Sequence, residues 1–346
     1  MNLFESELFD DHEGVHFVTN TEAGLKAVIA VHNTRLGPAA GGTRLWTYAS
    51  SDAACEDALR LSRAMSFKNA MADIPFGGGK AVIMRPDGDF DRKALFTAYG
   101  KAVDNLAGTY CTAEDVGVST QDMDTVSTQT KYVAGLSKGK AASGDPSPVT
   151  ADGVFRGLNV AAAEALGQSD LKGVRVAVQG LGHVGYNLCE RLHAAGAILT
   201  VTDINQTVLD KAASIMGARV VAPDVIHTED VDIFAPCALG GAINAATIDA
   251  IKAKIVGGAA NNQLASAEMG RALMERGILY CPDYVLNGGG IINVAAELSG
   301  TYDPNWVDGK LDGLKQTLKQ IFALSKTENL PTSVIADRIA RQRIYG

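Results

Sequence analysis

A chain of 346 residues, 47% of them hydrophobic, has enough apolar material for two domains of ordinary size. Its formal net charge of −8, with no long run of either sign, argues against a nucleic-acid or anionic-membrane partner. Five scattered cysteines without a C-x-x-C pair exclude a zinc ribbon or disulfide framework and suit a reducing compartment, taken as the cytoplasm. The acidic N-terminus, M-N-L-F-E-S-E-L-F-D-D, lacks the basic-then-apolar pattern of a signal peptide, and no apolar run approaches membrane-spanning length.

Leu25–His32 (L-K-A-V-I-A-V-H) predicts a strand. Over Ser51–Ala72, Ala54, Ala58, Leu61, Met65 and Ala72 recur at helical steps, with Ser51 or Asp52 as cap. A strand over Lys80–Met84, a helix over Arg92–Leu106 and a strand over Thr109–Ala113 follow, then a short helix from Gln121 capped by Ser119. Lys138–Pro148, K-G-K-A-A-S-G-D-P-S-P, is the clearest breaker cluster and marks the first domain boundary. A helix is predicted over Val149–Leu166. Strands over Val174–Gln179, Ile198–Thr202, Asp232–Phe234, Ile255–Val256 and Ile278–Tyr280 alternate with helices, the pattern of a parallel, doubly wound sheet. Ser333–Tyr345 reads as a basic-flanked helix, expected to pack back onto the first domain.

Two lysines sit in the least polar stretch of the chain. Between Met65 and Ile83 the charged residues are Lys68, Asp73 and Lys80, and Lys80 follows Gly77, Gly78 and Gly79. A lysine among apolar residues loses hydration, so its neutral amine becomes available as base or nucleophile, and a second ammonium nearby favours this further. Two snorkelling surface lysines are the alternative. The three glycines let backbone or ligand come close.

The strand Val174–Gln179 runs into Gly180-Leu181-Gly182-His183-Val184-Gly185, a G-x-G-x-x-G opening a helix. Its glycines serve the tight turn, the approach of a pyrophosphate and the packing of helix on strand. His183 and Val184 lie at the helix N-terminus, whose amides attract phosphate. Asp203 ends the next strand, where a carboxylate accepts from an adenosine ribose and repels a 2′-phosphate. No arginine follows in D-I-N-Q, so NAD is favoured over NADP.

Glu114 and Asp115 follow a strand and either relay protons or cap the next helix. Gly257–Asn262 (G-G-A-A-N-N) and Asn287–Gly290 (N-G-G-G) are weaker signals for close ligand approach. The six histidines show no metal-ligand spacing, so no metal is expected, and Cys237 reads as a buried thiol.

Taken together, G-P-A-A-G-G-T-R (Gly37–Arg44), F-K-N (Phe67–Asn69), G-G-G-K (Gly77–Lys80), A-E-D-V-G (Ala113–Gly117), the glycine fingerprint, G-A-A-N-N-Q (Gly258–Gln263) and P-D-Y-V-L-N-G-G-G (Pro282–Gly290) resemble the Glu/Leu/Phe/Val amino-acid dehydrogenase family across essentially the whole chain. The resemblance implies an N-terminal α/β substrate and oligomerisation domain over 1–140, joined by 328–346, and a Rossmann-type NAD domain over 141–327, with a cleft between them. It implies Lys68 on the substrate carboxylate, Lys80 as the amine that activates water, and Asp115 as proton shuttle. Gly41, Gly42, Ala40, Ala113, Ile291 and Val294 would line the substrate site with Asn262. Thr150, Ala238 and Ala260 would join the glycines, His183, Val184, Asp203 and Asn262 around NAD.

Glutamate-specific relatives place a lysine at Ala40 and a serine at Val294. Ala40 and Val294 offer a side-chain carboxylate no partner, so an apolar substrate is expected. Ala113, Glu114 and D-P-S-P (Asp145–Pro148) resemble leucine-type members, whereas G-P-A-A-G-G-T-R resembles some phenylalanine-type ones. The expectation is branched-chain preference with tolerance for longer or aromatic side chains, in a homo-oligomer of dimer to octamer size. Competing readings are a lyase using Lys80 as a Schiff-base nucleophile, which leaves the fingerprint idle, and an NAD-binding sensor, at odds with an intact Lys68, Lys80 and Asp115.

Overall fold

The structure, a computed structural model, describes residues 3–6, 8–138, 144–300 and 302–346. The chain divides into two compact units. One comprises Met1–Asp145, Ile291–Val307 and Ala340–Gly346, and the other Pro146–Gly290 and Asp308–Ile339.

In the first unit, strands β1 (Gly14–Asn20), β2 (Leu25–Asn33), β3 (Ala39–Trp46), β4 (Gly77–Met84) and β5 (Tyr110–Glu114) form a sheet of order β1-β2-β4-β3-β5. β3 runs parallel to β4 and β5, while β2 runs antiparallel to β1 and β4. Helix α1 (Ser51–Met71) covers one face, burying Ala54, Ala58 and Leu59 against Val28, Ala30 and Val82. Helices α2 (Arg92–Asp104) and α3 (Thr120–Ser127) cover the other, where Leu95, Phe96, Tyr99 and Met123 pack with Ile29, Ala81 and Ile83. Ser50 caps α1 by accepting from Ala53 N at 3.1 Å. Asp122 accepts from both Ser119 N and Ser119 Oγ at 2.7 Å and so fixes the start of α3.

The second unit holds α4 (Ser147–Leu166), β6 (Arg175–Gln179), α5 (His183–Ala194), β7 (Ile198–Thr202), α6 (Gln206–Met216), β8 (Arg219–Val220), β9 (Ile233–Pro236), β10 (Ile255–Val256), α7 (Ala267–Glu275), β11 (Leu279–Tyr280) and α8 (Asp283–Leu286). Its sheet has the order β11-β10-β9-β6-β7-β8 and every pair is parallel. Strand order reverses at β6, so the carboxyl ends of β6 and β9 form the switch point at which such sheets bind ligands. Helices α9 (Gly289–Leu298), α10 (Pro304–Glu328) and α11 (Thr332–Tyr345) complete the chain.

The α/β architecture with a doubly wound second half is as expected, and β7 and β10 fall on the predicted residues. No strand is predicted over β1, β3 or β8. β3 reads A-A-G-G-T-R-L-W, too rich in glycine and alanine to look like a strand, and takes its extended form from pairing with β4 and β5. α4 starts before Val149 because Pro148 fits the first turn of a helix.

The packing also divides the chain differently from the contiguous spans 1–140 and 141–327. The boundary at 140 lies outside the described residues. Ile291–Val307 belong to the first unit, where Gly135 N donates to Glu297 Oε2 at 2.6 Å. Of the C-terminal segment 328–346, Ala340–Gly346 join that unit, with Arg343 Nη1 donating to Ala70 O and Met71 O. Asp308–Ile339 stay with the second unit because α10 packs on α4: a Cβ on Gly157 would come within 2.9 Å of Leu318, and one on Gly153 within 3.4 Å of Leu311.

Candidate active site

The site of the first unit is built on the sheet face that α1 covers. Residues paired in register across parallel strands point the same way. Ala40 pairs with Gly78 and Cys111, Arg44 with Val82, and Gly42 with Ala113, while Lys80 pairs with Ala30 of β2. Ala40, Gly42, Arg44, Lys80 and Ala113 therefore share the face on which Val82 and Ala30 meet α1. Lys80 is 6% exposed, and its Nζ lies 2.8 Å from Asp115 Oδ2 in the turn after β5. Burial alone raises the Asp115 carboxyl, but Lys80 and Arg44 outweigh it and hold that carboxyl below the usual carboxylate range.

The glycines explain how these groups come together. A Cβ on Gly78 would stand 2.1 Å from Ser66 N, one on Gly77 1.9 Å from Asn33 O, and one on Gly79 2.6 Å from the Tyr110 ring. The three glycines before Lys80 thus admit α1 and neighbouring strands. Gly41 yields to Gly79 O at 1.9 Å and to Met65 at 3.1 Å, and Gly42 leaves room for Asp115, whose Cβ would be 2.9 Å away. Lys68 is half-buried in the last turn of α1, two residues beyond Ser66. Its neighbour Asn69 donates to Gly77 O at 2.5 Å, tying F-K-N to G-G-G-K.

Glu114 and Asp115 divide the two roles left open by sequence. Asp115 meets the lysine, whereas Glu114 Oε2 accepts from Thr120 Oγ1 at 3.1 Å at the start of α3. Ile291 is buried and Val294 half-buried on α9. Val294 lies one turn from Glu297, on the side that reaches Gly135, and a Cβ on Gly135 would stand 3.5 Å from Glu114 Cγ. An apolar cavity of about 320 Å³ lined by Pro75, Phe76, Ala295, Ala296, Ser299, Asp303 and Trp306 separates α9 from the turn before β4.

In the second unit the fingerprint residues gather at the switch point. Gly180 has φ +98°, and a Cβ there would meet Ala238 at 2.8 Å, so the loops after β6 and β9 touch. Gly185 faces Gly180 O, which a Cβ would approach to 2.0 Å. Nothing lies within 4 Å of the Cβ position of Gly182, which caps α5 without a side-chain bond. This open cradle at a helix N-terminus, framed by two packed glycines, fits a nucleotide pyrophosphate. Asp203 Oδ2 accepts from Leu181 N at 2.5 Å and ties β7 to the same turn. Ala260 N donates to Pro236 O, bringing the loop after β10 alongside, and Asn262 holds φ +52° with its carbonyl accepting from Gly241 N at 2.7 Å. His183 and Val184 open α5, and Thr150 lies in the first turn of α4 with its hydroxyl donating to Pro146 O at 3.0 Å. Burial pushes the Cys237 thiol up to about 12, which suits a packing role.

Three residues within the quoted motifs have contacts to which the sequence reading assigns no role. Arg44 donates to Asp115 Oδ2 at 3.2 Å and to Asp57 Oδ2 at 3.0 Å. Asn287 donates to Asn261 Oδ1 at 2.8 Å and Ala259 O at 3.1 Å, and buried Gln263 donates to Gly258 O and Ala260 O, pinning the A-A-N-N loop. The signal for Arg44 was a charge inside an otherwise small and apolar motif; for the two amides there was none beyond their place in it.

A doubly wound nucleotide-binding unit joined to a unit with a buried lysine–aspartate pair defines a two-part dehydrogenase. Residues 12–132 match the family of Glu/Leu/Phe/Val dehydrogenase dimerisation domains, and residues 143–216 and 213–344 match Glutamate/Leucine/Phenylalanine/Valine dehydrogenase. The chain is 49% identical to leucine dehydrogenase of Geobacillus stearothermophilus, over 99% of this chain and 94% of that one. It is 45% identical to L-tryptophan dehydrogenase of Nostoc punctiforme, over 99% and 96%. A crystal structure of L-tryptophan dehydrogenase from Nostoc punctiforme superposes with a TM-score of 0.86 at 43% identity, covering 99% of this chain and 98% of that one. The chain belongs to the Glu/Leu/Phe/Val dehydrogenase family. It is an amino-acid dehydrogenase, and a pyridine nucleotide is its cofactor class.

Proposed function

We propose that the protein catalyses the NAD-dependent, reversible oxidative deamination of an apolar L-amino acid, leucine and other branched-chain residues preferred, to the 2-oxo acid and ammonia. The observation that carries this reading is the 2.8 Å pair of Lys80 and Asp115 on a sheet face otherwise made of Ala40, Gly42 and Ala113. Lys68 holds the substrate α-carboxylate by charge-assisted hydrogen bonds. Bound NAD supplies the hydride acceptor at nicotinamide C4. Lys80 Nζ takes a proton from the water that adds to the resulting iminium carbon. Asp115 first takes a proton from the substrate ammonium, so that the neutral amine can give up its Cα hydride, and later returns that proton to the nitrogen of the water adduct, so that the C–N bond breaks and ammonia leaves with the hydroxyl proton as the carbonyl forms. Thr150 binds the nicotinamide carboxamide, and Asn262 orients the substrate.

NAD is preferred because Asp203 presents a carboxylate at the fingerprint turn. Asp203→Asn keeps an oxygen for Leu181 N but removes the charge, and is expected to raise the NADP to NAD ratio of kcat/KM on the order of tenfold. An unchanged ratio would remove Asp203 from the selectivity argument.

Substrate choice is tested by kcat/KM on leucine, valine, phenylalanine, tryptophan and glutamate. Leucine should lead, with valine within about tenfold and glutamate lower by on the order of a thousandfold, because Ala40 and Val294 give a second carboxylate no partner. The second reading, an aromatic amino-acid dehydrogenase, is favoured by the small side chain of Ala40 and by the tryptophan dehydrogenase relative; tryptophan or phenylalanine ahead of leucine would establish it. A preference for glutamate would overturn both. The exposed edge strand β1 and the matched dimerisation domain support a homo-oligomer, and the five free cysteines support the reducing cytoplasm. Among the described residues, no helix is long and apolar enough to cross a membrane.

A further inference from the structure

We infer that Arg44 is a positioning residue for the deamination chemistry: anchored by Asp57, it donates to the same Asp115 oxygen that Lys80 meets and fixes the carboxylate in its place beside the lysine. The inference rests on the reading of Asp115 as proton shuttle.

Asp115 sits in a turn after β5, where a backbone hydrogen bond from Val116 meets its carboxylate and side chains supply the rest of its anchoring. Two cations meet at one of its oxygens. Lys80 Nζ is 2.8 Å from Oδ2, and Arg44 Nε donates to the same Oδ2 at 3.2 Å. A lysine alone is a rotatable point charge, whereas a guanidinium held at a second point has a fixed direction. That second point is Asp57 on α1, which accepts from Arg44 Nη1 at 3.0 Å, from Tyr48 Oη at 2.7 Å and from Arg60 Nη2 at 2.6 Å. The Asp57 side chain is only 13% exposed, and Tyr48 and the two arginines keep its carboxyl low despite burial. Arg44 is thereby braced between helix and sheet, with one edge on Asp57 and the other on Asp115. Gly42, two residues earlier on the same strand, leaves the space into which Asp115 fits. The arrangement puts both cations on Oδ2 and keeps a negative charge beside Lys80.

Arg44→Gln removes the charge without orphaning Asp57, which keeps Tyr48 and Arg60. The expected result is a fall in kcat on the order of 10- to 100-fold with KM for leucine changed by less than about threefold, because Lys68 is untouched. The acidic limb of the kcat/KM–pH profile should move to higher pH by on the order of one unit, since a carboxylate that loses a nearby cation protonates more readily. Arg44→Lys should recover the pH profile more than the kcat, because it returns the charge without the braced geometry. In an Asp115→Asn background Arg44→Gln should add less than about threefold, as expected when one residue acts through the other. If Arg44→Gln does not yield folded protein, Asp57→Asn, which frees the brace and leaves the guanidinium, should lower kcat by a smaller amount, about threefold to tenfold, without moving the acidic limb to higher pH; an unchanged kcat would overturn the brace. An unmoved pH profile and near-normal kcat in Arg44→Gln, with Asp115→Asn inactive, overturns the role of Arg44 alone. Near-normal turnover in Asp115→Asn overturns the shuttle reading, and the role of Arg44 with it.

Discussion

Lys80→Ala should lower turnover of leucine by about four orders of magnitude, at the upper end of what a single proton-transferring side chain contributes. Lys80 is buried and paired at 2.8 Å with Asp115, and it is the proton acceptor of the proposed mechanism. The substitution is a clean one. Asp115 keeps Arg44 as partner, so no buried carboxylate is stranded, and the residues proposed to hold the cofactor belong to the other unit. NAD affinity, followed by fluorescence titration, should stay within about twofold while the appearance of NADH absorbance is lost. Lys80→Arg separates proton transfer from charge. It keeps a cation beside Asp115, yet a guanidinium does not give up its proton, so this variant should be nearly as inactive as the alanine. Near-normal turnover in Lys80→Ala would mean that another group activates water.

What the sequence allowed to be read follows a physical line. Elements with strong periodicity or long apolar runs, such as α1, β2 and the alternating strands of the second unit, were legible because burial imposes their pattern. The fingerprint was legible because three glycines with three separate steric duties leave a fixed spacing, and the clashes that a Cβ would make at Gly180 and Gly185, with open space at Gly182, reproduce those duties. The strand β3 was not legible. Its residues are small because others must approach them, and smallness at Ala40, Gly41 and Gly42 hides the strand while making the site. The same applies to the glycines before Lys80: sequence left open whether backbone or ligand comes close, and Ser66, Asn33 and Tyr110 show that protein does. The Arg44–Asp57–Tyr48 chain could not be read at all, since it joins β3, the segment after it and α1 through side chains whose meeting depends on register.

Gly78→Ala tests most severely whether protein, and not ligand, approaches the glycines before Lys80. Its Cβ would stand 2.1 Å from Ser66 N, 2.2 Å from Ser66 Oγ and 2.5 Å from Ser66 Cα. Two of these are helix backbone, and the hydroxyl is itself bound to His32 Nδ1 at 2.7 Å, so no flexible side chain can swing aside. Helix α1 must lift from β4. Overpacking of this kind costs about 3 kcal/mol or more, which lowers the Tm by roughly 6–12 °C. Because Lys68 lies two residues beyond Ser66 and Lys80 two residues beyond Gly78, lifting the helix separates the proposed carboxylate-binding lysine from the proposed base. A displacement near 1 Å is enough to reduce kcat/KM for leucine by about 100-fold, even at temperatures where the variant is folded. Gly182→Ala supplies the contrast. Nothing lies within 4 Å of its Cβ, so the Tm should hold while the KM for NAD rises, because the methyl occupies the space over the α5 N-terminus. Were Gly78→Ala to keep both its Tm and its kcat/KM, the glycines before Lys80 would have to serve the ligand rather than the helix.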